Sequence, residues 1–310
     1  MRKTSVYLPE ALKAEVARAA RRTGTSEAAF IRRALEAAIQ QAPTDDRSSP
    51  TSGRWVAPSS ATAPRTDPRL VGPLLVGVGV GPGTADLLTP RARHVILRAD
   101  TVLAAAISRD AIGRAEATVR AALGPIRVER VALDVLGNAQ QRDASSQALA
   151  ERVIAHLDRD EVVAFLTLGD PSVFSAFADL ARRVHRARRD LPIHSVPGIM
   201  AFQELASRAG TVVGGERQSV RIVALQDDGD GSRESIADSL ARPDETLVLY
   251  RGGHCVSAIA EQLVAAGRAE QAVVGELLGL QGERCAPALE YLGEAASYLA
   301  TLIAPAPGRG

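Results

Sequence analysis

Three glycine–proline clusters, each at the end of an apolar run, carry the strongest chemical signal in this chain. The run Leu74–Val80 reads as a buried strand and passes into Gly77-Val78-Gly79-Val80-Gly81-Pro82-Gly83. A glycine-rich turn after a strand invites a phosphate or a dinucleotide. The spacing refuses both. A GxGxxG begun at Gly77 needs glycine where Pro82 stands, and one begun at Gly79 needs it at Thr84. No Gly-Lys-Ser/Thr occurs either. Pro82 also lacks the N–H that a phosphate cradle would use. What remains is a tight turn whose bare backbone admits close approach. The second cluster closes the strand in Val163-Ala-Phe-Leu-Thr-Leu-Gly-Asp-Pro-Ser-Val-Phe-Ser175. Ligands of open α/β sheets lie beyond the carboxyl ends of strands. Gly169 fits that role, and Asp170 reads equally as part of a site or as a plain helix N-cap. Ser195-Val-Pro-Gly-Ile-Met-Ala-Phe202 repeats the strand, turn and helix.

The elements that must present these turns follow from periodicity. Strands are expected at Leu74–Val80, Val162–Leu168, Ile193–Val196, Val220–Leu225, Thr246–Tyr250, Ala272–Leu278 and Tyr298–Ile303. Helices are expected at 90–99, 145–158, 172–188, 199–209, 232–241 and 255–267, the first opened by Thr89-Pro90. Alternating strands and helices imply an α/β body with at least partly parallel sheets.

The chain has 310 residues, 46% apolar and 24% charged, with a net charge of +1. That length suggests two domains or three. The near-neutral charge excludes a wholesale basic or acidic binder and leaves room for a local patch. No apolar run reaches the roughly 18 residues of a membrane span, and the start MRKTSVYLPEALK lacks a secretory core. Cys255 and Cys285 stand far apart, which argues against a disulfide scaffold or a zinc site and fits a reducing cytoplasm. Composition divides the chain into a head at 1–42, a linker at 43–70 rich in Pro, Ser and Thr, and a body at 71–305. As a flexible coil, the linker would span about 30 Å root-mean-square.

The head is basic, with eight Lys or Arg against four Glu. Lys3, Ser5 and Tyr7 alternate with Thr4, Val6 and Leu8, so a strand would place the two sets on opposite sides. Pro9 ends it. Leu12 and Val16 then fall at helical spacing, Gly24 breaks the helix, and Thr25 or Ser26 caps a second one carrying Phe30, Ile31, Leu35 and Ile39. One strand and two short helices bury too little surface alone, so a dimer is expected. The pattern resembles the ribbon-helix-helix family of DNA-binding dimers. The resemblance implies that Lys3, Ser5 and Tyr7 face base edges in the major groove and that amides near Ser26 meet a phosphate.

In the body, GVGPG…LLTPRA, VAFLTLGDPSVFS, VPGI, LVLYRGG, GELLGLQGER and YLATLIAP occur in order. This series resembles the tetrapyrrole methylase family over about residues 72–304. FLTLGDPSVFS is nearer the precorrin-2 C20-methyltransferase branch, of the cobalamin pathway, than the uroporphyrinogen or precorrin-4 branches. The resemblance implies two α/β lobes, about 71–170 and 171–305, with S-adenosyl-L-methionine in the cleft between them, and a homodimer. It places cofactor contacts, mostly through backbone groups, on Pro82, Leu168, Gly169, Asp170, Val173, Met200, Ala201, Arg251 and Leu278. The chain departs from the family pattern at Met200, Arg251 and Thr84-Ala85-Asp86.

The implied chemistry is methyl transfer from a sulfonium to a carbon of a reduced tetrapyrrole. It needs no protein nucleophile, and the base that removes the leftover proton stays unassigned among Asp86, His94 and Glu276. Arg91, Arg217 and Arg251 are candidates to meet tetrapyrrole carboxylates. Asp227-Asp-Gly-Asp-Gly231 lacks the glycine and glutamate of a calcium loop in register, His254-Cys255 lacks further ligands, and no metal site is expected. Two readings of different class follow. One is a tetrapyrrole C-methyltransferase. The other is a DNA-binding regulator whose methylase-like body senses a ligand.

Overall fold

The structure is a computed structural model. It describes residues 70–307 apart from 107, 109, 135–137, 226–235 and 252, together with 13, 17, 20, 21 and 25–28 of the head. The chain divides into two compact units, Met1–Arg54 and Trp55–Gly310, with the division inside the expected linker. In the head, Lys13, Ala17, Ala20 and Arg21 are helical, Thr25 and Ser26 are not, and Glu27 and Ala28 are helical again. The Thr25 N–H donates to Ala20 O at 3.0 Å. The break expected at Gly24 and the helix opening at Thr25 or Ser26 agree with this. Lys3, Ser5, Tyr7 and the Asp227–Gly231 turn lie outside the described residues.

The body is built on two sheets. The first holds β1 (Leu74–Gly79), β2 (Thr101–Ala106), β3 (Glu129–Ala132), β4 (Val162–Thr167) and β5 (Ile193–Val196) in the order β3-β2-β4-β1-β5. Every pairing in it is parallel. Helices α1 (Pro90–Arg98) and α2 (Arg114–Leu123) pack on one face, where Val76, Val78 and Ala164 meet Val95, Ile96 and Val119. Helices α3 (Ala139–Leu157) and α4 (Ala176–Ala187) cover the other, where Leu75, Val163 and Phe165 meet Val153, Phe177 and Leu180. Cover on both faces explains why β1 and β4 read as unbroken apolar runs. Thr89 caps α1, its hydroxyl accepting from Ala92 N at 3.2 Å with Pro90 in the first turn, as the spacing predicts.

The second sheet holds β6 (Ser219–Ala224), β7 (Glu245–Tyr250), β8 (Val273–Glu276), β9 (Arg284–Pro287) and β10 (Thr301–Ala304) in the order β6-β7-β10-β8-β9. Only β6 and β7 run parallel; the other neighbours are antiparallel. Helix α5 (Ala201–Ala209) packs Leu205 and Ala206 on Val248, Leu278 and Ile303. Helix α6 (Val256–Ala265) and the helical stretch 236–240 cover the opposite face through Ile236, Leu240, Ile259 and Leu263. The buried Arg268 guanidinium ties the end of this lobe together, donating to Glu245 O, Ala304 O and Pro305 O at 2.8, 3.0 and 2.7 Å.

Several expectations shift. The lobes do not divide after residue 170, because β5 pairs with β1 and α4 packs on the first sheet. The crossover to the second lobe lies in 197–200. Strands β2, β3 and β9 and helix α2 are additions to the elements expected from periodicity. Three alanines in β2 favour a helix, and pairing with β3 and β4 overrides them. The 145–158 helix begins earlier, at Ala139, behind a reciprocal Asn138–Gln141 capping box. The 172–188 helix begins later, at Ala176. Among the described residues no helix is long and apolar enough to cross a membrane.

Candidate functional site

The three glycine turns meet at the carboxyl edge of the first sheet. The Gly169 N–H donates to Gly81 O at 2.8 Å. A Cβ on Gly198 would stand 2.1 Å from Gly169 O, and one on Gly79 would stand 2.5 Å from Gly198 N. These contacts are backbone against backbone, so only glycine fits. Asp170 secures the arrangement. One carboxylate oxygen accepts the Ser172 N–H at 2.8 Å, and the other accepts the Gly198 N–H at 3.0 Å. Asp170 is therefore not the N-cap of the following helix, a place that Ser175 takes. It straps the turn after β4 to the turn after β5.

The turn after β1 also reaches the second lobe. A Cβ on Gly83 would lie 2.2 Å from Leu278 O, and one on Gly279 would lie 2.4 Å from Thr84 N. Beside this contact runs a small cleft, partly open to solvent. Pro82, Arg114, Leu168, Ala201, Leu277, Leu278, Leu280, Leu299 and Thr301 line it. Pro82, Leu168, Ala201 and Leu278, expected from four separate motifs, thus come together here. Gly169 sits at φ +70°, and a Cβ added there would have nothing within 4 Å, so its missing side chain leaves space rather than relieving a clash.

The other five expected contacts, Gly169, Asp170, Val173, Met200 and Arg251, do not line this cleft. The Val173 N–H closes the turn onto Asp170 O, and Met200 precedes α5, its N–H donating to Gln203 Oε1 at 2.9 Å. Arg251 takes a left-handed conformation at φ +62°, and its guanidinium donates to Phe174 O at 3.1 Å. Phe174 in turn lies against Tyr250, ring centroids 5.9 Å apart. Phe174, Arg251 and Leu277 all have positive φ, in the loops after β4, β7 and β8. Such strain in non-glycine residues gathers at ligand sites. Burial pushes the Tyr250 phenol up to about 12, so it stays neutral while its oxygen accepts the Phe202 N–H at 3.2 Å.

None of the three candidate bases lines the cleft. Asp86 is exposed on the turn after β1. His94 is half-buried on α1 and already engaged. Glu276 is held at both oxygens, by the Tyr291 hydroxyl at 2.9 Å and the Ser297 N–H at 2.5 Å, so it fixes the loops after β9. Arg91 and Arg217 are exposed elsewhere. Sequence reasoning missed Arg114, the one charged side chain in the cleft wall among the described residues. It is one arginine among many and sits in no recognisable motif; only the start of α2, which periodicity does not reveal, places it here.

Comparison with known proteins agrees with this geometry. The family model for tetrapyrrole (corrin/porphyrin) methylases matches residues 74–291, and that for ribbon-helix-helix proteins of the copG family matches residues 2–42. The chain is 31% identical over 242 residues to a precorrin-2 C(20)-methyltransferase from Sinorhizobium sp, covering 74% of this chain and 94% of that one. It is 30% identical over 198 residues to a precorrin-4 C(11)-methyltransferase from Rhodococcus erythropolis, covering 60% and 70%. The uroporphyrin-III C-methyltransferase of Thermus thermophilus, solved with S-adenosyl homocysteine, shares the fold at a TM-score of 0.51 and 22% identity, covering 74% of this chain and 96% of that one. With the match extending over most of its length and through every strand of the first sheet, the chain belongs to the tetrapyrrole methylase family.

Proposed function

We propose that the body transfers a methyl group from S-adenosyl-L-methionine to C20 of precorrin-2, a step of cobalamin biosynthesis. The observation that carries this reading is the likeness to the Sinorhizobium enzyme along nearly its full length. Two features suit the cofactor: the largely apolar wall of the cleft and, next in the chain to Leu168 of that wall, the Gly169 turn, with open space where a Cβ would stand. When bound, the sulfonium supplies an already activated methyl group. The protein's part is orientation and exclusion of water. Gly169 gives backbone access to the ligand, and Asp170 keeps that turn in register with Gly198. Pro82, Leu168, Ala201 and Leu278 surround the ligand with apolar surface. Holding donor and acceptor in line about 3–3.5 Å apart lowers the barrier by removing the entropic cost of bringing them together.

We infer a DNA-binding dimer for the head, supported by the ribbon-helix-helix match over residues 2–42. That match also favours a second reading, a regulator whose body senses its ligand without turnover. Incubating the purified full chain with S-adenosylmethionine and precorrin-2, precorrin-4 or uroporphyrinogen III separates these cases. Methylation of precorrin-2 in preference to the others is expected. Preference for another tetrapyrrole would reassign the substrate. Cofactor binding without turnover on any of them would favour the regulator.

A further inference from the structure

We propose that Arg114 pairs with a carboxylate of the ligand bound in the cleft between the lobes, as the charged anchor of an otherwise apolar site. The inference rests on the methyltransferase reading above. Arg114 opens α2 immediately after Gly113. A Cβ on Gly113 would stand 2.6 Å from Ala105 O, so the helix start is pressed against the end of β2, at the sheet edge that carries the site. The Thr118 hydroxyl lies 3.0 Å from Arg114 O and 3.2 Å from Gly83 O. This turn of the helix is thereby tied to the turn after β1, and the base of the Arg114 side chain is fixed beside Pro82.

The guanidinium itself is unpartnered among the described residues. Its neighbours on the same helix and beyond differ. Arg120 and Arg130 share the buried Glu116, Arg208 bonds Glu204 and Glu283, and Arg284 pairs with Glu290 and Glu294. Arg114 is half-buried, and burial lowers its pKa with no acid to offset the effect. A partly desolvated cation without a counter-charge is costly unless a ligand supplies one. Around it stand Pro82, Leu168, Ala201, Leu277, Leu278, Leu280 and Leu299, with Thr301 the other polar residue. This wall fits a ligand with a largely apolar body and a carboxylate, and the planar guanidinium fork suits a carboxylate better than any other anchor. The methionyl end of the cofactor and the acid side chains of a tetrapyrrole both carry that group.

The test titrates the full chain, as wild type, Arg114→Gln and Arg114→Lys, with three probes. They are S-adenosylhomocysteine, 5′-methylthioadenosine, which keeps the nucleoside and thioether but lacks the carboxylate, and uroporphyrin, a polycarboxylate. Thermal melting checks that each variant is folded. Arg114→Gln should weaken one carboxylate probe by about tenfold to hundredfold and leave 5′-methylthioadenosine unchanged, with Arg114→Lys between wild type and Gln. A loss confined to S-adenosylhomocysteine assigns the carboxylate to the cofactor; a loss confined to uroporphyrin assigns it to the tetrapyrrole. Equal affinity of both probes for wild type and a folded variant overturns the proposal. A wild type that binds neither probe removes the methyltransferase reading and this inference with it.

Discussion

Alanine at Gly169 and alanine at Gly198 should fail in opposite ways, although the two glycines touch. At Gly169 no protein atom lies within 4 Å of an added Cβ, but φ is +70°. The left-handed conformation costs a non-glycine residue about 1–2 kcal/mol. For a domain of this size that lowers Tm by roughly 2–8 °C. The new methyl group then projects into space that the cofactor is expected to use, and S-adenosylhomocysteine affinity should fall at least about tenfold, or 1.4 kcal/mol. At Gly198 the added Cβ would stand 2.1 Å from Gly169 O and 2.8 Å from Gly79 Cα. Both are backbone atoms and neither can rotate away, so the end of β5 must move off β1. Overpacking costs about 1–3 kcal/mol and occasionally more, and a clash of backbone on backbone this close belongs at the upper end. Gly198→Ala should therefore melt well below Gly169→Ala. Differential scanning calorimetry gives the stability arm and isothermal titration gives the ligand arm. A folded Gly169→Ala with wild-type affinity would show that the cofactor does not lie against this turn. A Gly198→Ala melting with the wild type would refute the packing of the three turns.

Two other outcomes are expected. Hydrogen bonds from the Thr101 hydroxyl, Arg159 and His156 hold the Glu161 carboxyl down, from 4.5 to about 2. A carboxylate depressed in the folded state contributes stability above its ordinary value and loses it as pH falls. Glu161→Gln should thus melt a few degrees lower at pH 7, and the gap should close between about pH 4.5 and 2; a gap independent of pH contradicts this. In the head, residues 1–45 should sediment as a dimer and bind DNA with a steep salt dependence. Lys3→Ala should lower affinity and alter base preference, whereas Arg21→Ala should leave preference unchanged; a monomeric head would remove the ribbon-helix-helix reading.

Local pattern made much of this protein legible. Strands β1, β4, β5 and β7 lie within a residue of their expected bounds; β1 and β4 were legible because a strand covered on both faces must be apolar throughout. The glycine turns were legible for a related reason. Backbones that touch, as at Gly79, Gly169 and Gly198, exclude every side chain, and the exclusion is written as glycine. Thr89-Pro90 announced its helix by capping chemistry that spans only a few residues. Arrangements that depend on partners distant in the chain were not legible. The alanines of β2 become a strand only between β3 and β4. Asp170 looks like a helix cap until Gly198 is brought beside it. Glu276 looks like a free base until Tyr291 and Ser297 take both its oxygens. Arg114 is one arginine among many until the fold sets it, unpaired among the described residues, in an apolar cleft. Side-chain type and near-neighbour spacing determine local conformation; the hydrogen bonds and charge pairs that decide a residue's role are closed by tertiary contacts many residues away.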